Sequence, residues 1–302
     1  MDDELLAVRV AELYYGQNKT QNEIGTILGI SRFKAGRMLT QARERGIVRI
    51  QIVHPRARLS ALEQQLAERF GLREAVIVAS GDGVAQAAAD YLAQLRPASL
   101  GVSWGRTLDA VGEHLPDGWT SRVTVVQING GMSRRRGAGT AAVLAATIAR
   151  RGGGHAELLA SPAILERVET KRAIEADRSV ADVLAMAATA SAYLYSAGVA
   201  DATSVHVDSG YLTTEDIDAL VRRGAVGDVV GRFIDSAGTI VDPQLDERTV
   251  GLGLDQLRSA ETAILAIAGE AKHGVARAIV TSGLCTVLVS DESTARALLE
   301  EI

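Results

Sequence analysis

The 302-residue sequence predicts an α/β protein in two parts: a small helix-turn-helix head over residues 1–56 and a doubly wound, mostly parallel α/β body over residues 57–302. Three observations carry that expectation. From Ala75 onward, short apolar runs alternate with helical patterns, as in a parallel sheet covered on both faces. Residues 20–45 read as two helices joined by a glycine-containing turn. Charge is divided unevenly: the first sixty residues hold ten basic and six acidic side chains, net +4, which leaves −9 on the other 242 and −5 overall. Only the face that meets nucleic acid must be positive, so the asymmetry says more than the total.

In the head, Leu5, Leu6, Val8, Val10, Ala11 and Leu13 favour an opening helix that ends near Tyr15 and Gly16. Thr20 with Glu23 three residues on has the pattern of a capping box and opens a second helix, expected to bury Ile24, Ile27 and Leu28. Gly29 ends it, Ile30 anchors the turn, and Ser31 caps a third helix running through Arg45 with Met38, Leu39 and Ala42 inward. Ser31, Arg32, Phe33, Lys34 and Arg37 fall on the first two turns of that helix, the end that enters the major groove in such motifs. With Thr20 and Gln21 they are the candidate contacts to double-stranded DNA. Gly46 stops the helix, and Ile47 to Val53 alternates as an edge strand or wing would. Any trihelical bundle with solvated arginines shares part of this pattern; the agreement of cap, turn, charge sign and wing favours DNA binding. His54-Pro55-Arg56-Ala57-Arg58 reads as the linker.

Leu59, Leu62, Leu66 and Phe70 form one stripe of a helix that either opens the body or makes a dimer contact. Strands are expected at Ala75–Ala79, Ser99–Val102, Val123–Ile128, Ala192–Tyr195, Ser204–Val207, Ala263–Ala268 and Val287–Val289. Helices are expected at Val84–Leu95, Thr107–Leu115, Thr140–Arg150, Val168–Ala188, Thr214–Arg223 and Gly274–Thr281. In a sheet of this kind the ligand lies beyond the carboxyl ends of the strands.

Four glycine-bearing loops follow expected strands. Gly101-Val102-Ser103-Trp104-Gly105-Arg106-Thr107 leads into a helix and offers amides, two hydroxyls, a guanidinium and a helix dipole to a phosphate. Gln127-Ile128-Asn129-Gly130-Gly131-Met132 reads as a second backbone nest for oxygens. Gly224-Ala225-Val226-Gly227-Asp228 brings a carboxylate for sugar hydroxyls, and Gly269-Glu270-Ala271-Lys272 brings a lysine. Only four lysines stand among 28 arginines, which singles out Lys272 as a point charge on a phosphate or as a buried amine. Each loop alone is also a tight turn; together they indicate a pocket for a phosphorylated small molecule. Ser133-Arg134-Arg135-Arg136-Gly137 reads as a loop placed to close over an anion.

Other classes are excluded or weak. One cysteine, Cys285, allows no intramolecular disulfide and no thiolate cluster. The acidic start lacks the basic region of a signal peptide, and no apolar run approaches the ~18 residues of a membrane span, so a soluble cytoplasmic protein is expected. His54, His114, His155, His206 and His273 have no metal-ligand spacing and read as surface or packed residues. Neither the Rossmann nor the P-loop glycine pattern is present, so no nucleotide cofactor is expected. Gly101-x-Ser103-x-Gly105 has the spelling of a hydrolase elbow without an evident histidine and acid in order.

These residues together resemble the SorC family of bacterial sugar-responsive transcriptional regulators. The likeness runs through Thr20-Gln21-x-Glu23-Ile24-Gly25, Leu28-Gly29-Ile30-Ser31-Arg32 and Ala42-Arg43-Glu44-Arg45-Gly46-Ile47-Val48 in the head. In the body it runs through residues 101–107, Gln127-x-Asn129-Gly130-Gly131, residues 224–228, Lys272 and Ser290-Asp291-Glu292-x-Thr294-Ala295. Gly25, Glu270 and Ser290 depart from the usual alanine, glycine and threonine. The resemblance implies an effector domain related to sugar-phosphate isomerases and deaminases, a phosphorylated sugar or polyol as ligand, and a homotetramer (or dimer) on paired operator half-sites. By that likeness Gly101, Ser103, Trp104, Gly105, Arg106, Thr107 and Lys272 hold the phosphate, while Asn129, Gly130, Gly131, Gly198 and Asp228 lie near the sugar. No lysine stands near residues 127–132 to form a Schiff base from that strand. The alternative, an active isomerase or deaminase with a DNA-binding head, needs a general base, and Asp228 is the only acid placed in the pocket, with no second acid–base partner in view.

Overall fold

The computed structural model describes residues 3–48, 58–132 and 141–300, and the chain divides into units of residues 1–54 and 55–302. The expected join at residues 56 and 57, the linker before Arg58, the wing beyond Val48 and the arginine run at 134–136 lie outside the described residues.

In the first unit, α1 (Asp3–Ala11) runs into a π-helical turn at Glu12–Gly16, followed by α2 (Gln21–Leu28) and α3 (Arg32–Glu44). The Thr20 hydroxyl accepts from the Glu23 amide at 3.3 Å, and the Glu23 carboxylate accepts from the Thr20 amide at 2.8 Å. The hydrogen bonds from Thr20 hold Glu23 below the usual carboxylate pKa. Gly29 closes α2 in the left-handed conformation that glycine alone adopts at little cost. Ser31 Oγ accepts from the Lys34 amide at 3.1 Å and starts α3. Leu6, Val10, Leu13, Ile24, Ala35, Met38, Leu39 and Ala42 fill the core. Ile27, expected inside, is 53% exposed. The short helix buries a stripe through Ile24, Gly25 and Leu28, and Ile27 falls to one side of it. Ile47 and Val48 pack on this core without forming a strand.

Among its described residues the second unit carries ten strands: β1 (Glu74–Val78), β2 (Ser99–Val102), β3 (Thr124–Gln127), β4 (His155–Glu157), β5 (Ala192–Tyr195), β6 (Ala197–Gly198), β7 (Gly227–Val229), β8 (Arg232–Ile234), β9 (Ala263–Ala266) and β10 (Val287–Asp291). Seven pair in parallel in the order β1-β10-β9-β5-β2-β3-β4. Their side chains feed two separate apolar cores, one on each face, as continuous Val/Ile/Leu strands require. From β2 the chain moves outward to β3 and β4; from β5 it moves the other way, to β9 and β10. The reversal between β2 and β5 opens a crevice at their carboxyl ends.

Three expectations change. Ser204–Val207 is not a strand: Ser204 caps a short helix, Val205–Asp208. Val168–Ala188 is two helices, Val168–Ala176 and Arg178–Ala188, split where Asp177 accepts from the Ser179 amide at 3.0 Å. Asp228 sits inside β7 of a small antiparallel sheet, β6-β7-β8, not on a loop after a sheet strand. The helix Ser60–Phe70 packs on the body's own core through Leu66. Beside it the open edge of β1 is satisfied partly by backbone, the Leu59 amide donating to the Ile77 carbonyl at 2.8 Å, and partly by side chains, with the Ile77 amide donating to Glu63 at 2.9 Å and Arg58 donating to the Ala75 carbonyl at 2.9 Å. Among the described residues no helix is long and apolar enough to cross a membrane.

Gly101 lies within β2, where a Cβ would stand 2.6 Å from Tyr193 Cδ1 and 2.7 Å from Ile128 Cγ2. Gly101→Ala is expected to destabilise the body by about 1–3 kcal/mol through overpacking. Thermal unfolding checks this: an unchanged midpoint would show that Tyr193 and Ile128 give way freely.

Candidate functional site

The crevice between β2 and β5 is closed at its base by the Ser103 amide, which donates to the Leu194 carbonyl at 3.1 Å. The chain then turns through Gly105, at φ +141°, and enters the helix Arg106–His114 with no side-chain cap. The amides of that first turn therefore face outward with the positive end of the helix dipole. Ser103 is buried, Thr107 half-buried and Arg106 exposed at this turn. Trp104 swings across to β3, its indole N–H donating to the Gly130 carbonyl at 3.0 Å.

Opposite, β6 and β7 pair so that Gly198 faces Asp228. A Cβ on Gly198 would stand 2.0 Å from Asp228 Oδ1, so only glycine leaves room for the carboxylate. Asp228 Oδ2 accepts from the Gly231 amide at 3.1 Å; Oδ1 is buried with no hydrogen-bond partner among the described residues. His206, fully buried, stands between the rings of Trp104 and Phe233, with centroids 6.1 and 5.2 Å away. Its Nε2 is 3.4 Å from Asp228 Oδ2, and neither ring nitrogen has a hydrogen-bond partner among the described residues. Asn129 is also buried with both side-chain polar atoms unpaired. Orphaned buried polar atoms cost on the order of 1–3 kcal/mol each unless something fills the space and pairs them.

Lys272 reaches the site from the turn Glu270–Lys272 that follows β9. Burial lowers its pKa below the ordinary lysine range; the Asp228 carboxylate raises it and the Arg106 guanidinium lowers it. Arg106 and Asp228 thus both act electrostatically on Lys272.

Several roles differ from those expected. Gly130 and Gly131 form no nest, because their amides donate to Val250 and Ser161 at 3.1 and 2.8 Å. Their carbonyls accept from Trp104 and Tyr211. Gly130 instead admits the neighbouring chain, since its Cβ would meet the Pro162 carbonyl at 2.3 Å. Gly101 is a packing residue inside β2 with no free backbone at the crevice. His206 is a packed residue, one of the two readings the sequence allows, but Asp228, expected to lack an acid–base partner, has the His206 ring beside it. The clue lay in Asp201-Ala202-Thr203-Ser204, a turn-and-cap composition in which Asp201 accepts from the Thr203 amide at 2.7 Å. Among the described residues no group of acidic, histidine or cysteine side chains is arranged to hold a metal.

In the first unit, Arg32, Phe33 and Arg37 are exposed on α3, and neither arginine forms an ion pair among the described residues. Lys34 turns aside to Asp3 at 3.9 Å, and Ser31 and Thr20 serve as caps. Gln21 lies over α3, its Oε1 3.2 Å from where a Cβ of Gly36 would be.

The family model "Putative sugar-binding domain" matches residues 54–300. The deoxyribonucleoside regulator of Bacillus subtilis is 30% identical over 311 residues, spanning 100% of this chain and 99% of the relative. The sorbitol operon regulator of Klebsiella pneumoniae is 31% identical over 317 residues, spanning 99% of both. The crystal structure of that full-length regulator, SorC, superposes with a TM-score of 0.75 at 30% identity, covering 99% of this chain and 100% of the other. These relatives are transcriptional regulators, not enzymes.

With only four lysines, side-chain NMR of lysine-labelled protein resolves the titration of Lys272. One lysine is expected to deprotonate below the others; Asp228→Asn lowers it further and Arg106→Gln raises it, following the signs of the two neighbouring charges. Four superimposed titrations would contradict the burial of this amine.

Proposed function

The chain belongs to the SorC family of sugar-binding transcriptional regulators, and from that premise we propose a cytoplasmic, homo-oligomeric DNA-binding regulator of carbohydrate or polyol metabolism, controlled by a phosphorylated sugar or polyol. One observation carries the effector half: the unpaired side-chain atoms of Asn129, Asp228 Oδ1 and the His206 ring, together with the uncapped helix Arg106–His114 and the half-buried amine of Lys272. The amides of that helix, with Ser103, Thr107, Arg106 and Lys272, take the phosphate. Asp228, Asn129 and His206 take the hydroxyls, and Trp104 walls the pocket. The His206–Asp228 pair then acts by hydrogen bonding to hydroxyls, not by moving protons. Residues 57–302 hold this pocket and the contacts between subunits; residues 1–56 grip the operator.

The DNA half rests on α3, whose exposed Arg32 and Arg37 have no acidic partner among the described residues, while Thr20, Gln21, Ser31 and Lys34 frame its first turn. An effector changes operator affinity only by binding the two arrangements of the heads unequally.

Phosphorylated sugars and polyols are screened beside their unphosphorylated forms by thermal shift, since a ligand that prefers the folded state stabilises it by mass action. A phosphorylated compound is expected to raise the midpoint, and Arg106→Ala or Lys272→Ala to abolish the rise. Asp228→Asn weakens binding by about tenfold, the loss of a charge-assisted hydrogen bond. Equal shifts with and without phosphate would refute the phosphate site. On DNA, Arg37→Ala is expected to weaken binding and reduce the salt slope by about 1. Full operator affinity in an Arg32→Ala/Arg37→Ala double variant would refute the placement of α3.

A further inference from the structure

Phe33 is 75% exposed, the most exposed large apolar side chain among the described residues. Its position on α3 distinguishes it from Leu5 and Ile27, which lie on α1 and α2. Helix α3 buries Ala35, Met38, Leu39 and Ala42. Phe33, Arg37 and Thr40 follow one another at i, i+4 and i+7 on the opposite side, all exposed. Gln21 of α2 covers the flank at Gly36 and leaves this outward stripe open. The Arg32 guanidinium lies 5.5 Å from the Phe33 ring centroid, a cation–π contact that joins the ring to a charge suited to phosphate or guanine. An outward stripe with an apolar ring at its amino end and unpaired arginines beside it is complementary to one polyanion only if that surface also offers something apolar. In the major groove of DNA the only apolar group on a base edge is the C5-methyl of thymine.

Building on the reading of α3 as the recognition helix, we propose that Phe33 sets operator sequence by contacting a thymine methyl, with Arg32 or Arg37 on an adjoining base pair or phosphate. The ring supplies no hydrogen bond, so its contribution is selectivity among base pairs and not general attraction to DNA.

The full chain is first used to select preferred duplexes from a random pool. Each thymine of the selected site is then replaced by deoxyuridine, which keeps the base pair and removes only the methyl. Wild type is expected to lose affinity about fourfold at one or two positions per half-site, the effect of uncovering one methyl-sized apolar group. Phe33→Ala is expected to bind thymine and deoxyuridine duplexes equally, with an unchanged melting midpoint because the ring packs on no core. Indifference of the wild type to every replacement would overturn the proposal while leaving DNA binding intact. So would a Phe33→Ala variant that keeps the same discrimination, or one that changes only the oligomeric state. If the chain selects no duplex at all, the regulator reading falls and this proposal with it.

Discussion

Parallel pairing of β2 with β5 is the constraint on which the body's site depends. Neither strand follows the other in sequence, and the chain departs from them in opposite directions along the sheet. Two connections therefore leave the same edge and diverge, and no side chain from the sheet itself can fill the gap between them. Residues 103–107 line one side and the short strand β6 the other, and the Ser103 amide ties the first of these to β5, just before β6, through the Leu194 carbonyl. The small sheet β6-β7-β8 is what that divergence makes room for, and it carries Asp228 into the crevice from above.

Electrostatics then works locally. The body is net acidic, yet the uncapped end of the helix Arg106–His114, Arg106 and Lys272 make the local charge positive, and at a few ångströms the local charges outweigh the overall sign of the unit. Placing a half-buried amine where a buried carboxylate acts on it limits the desolvation cost of each. The head solves the reverse problem, with arginines on α3 kept solvated and without acidic partners among the described residues.

Much of this is legible in the sequence because it rests on local chemistry. Thr20 and Glu23, Gly29 and Ser31 announce their caps through short-range hydrogen bonds, and the Val/Ile/Leu runs of β1, β2, β3, β5, β9 and β10 announce buried strands. What escapes is set by partners far along the chain. The surroundings of His206 are set by Trp104, Phe233 and Asp228, none of them near it in sequence, and its own segment alternates apolar and polar as a strand would. Gly130 and Gly131 spell a nest, but Val250 and Ser161 claim their amides, a competition that composition does not record. The break at Asp177 was readable as Asp-x-Ser but was outweighed by the helical periodicity on either side.

The turn that follows Asp228 and its strand shows how that carboxylate is held. Between β7 and β8 the chain reverses in two residues, Val230 and Gly231, both with positive φ, +47° and +87°. A β-branched residue resists that conformation, at a cost of about 1–2 kcal/mol. Val230 is 3% exposed and packs into the body's core, which returns about 1.5–3 kcal/mol and so offsets the strain. The tight reversal is what brings the Gly231 amide within 3.1 Å of Asp228 Oδ2, fixing one carboxylate oxygen and aiming the other. A more relaxed turn with a glycine at 230 would forgo the core contact that anchors it. The aim of Asp228 thus depends on an apolar side chain buried in the body's core.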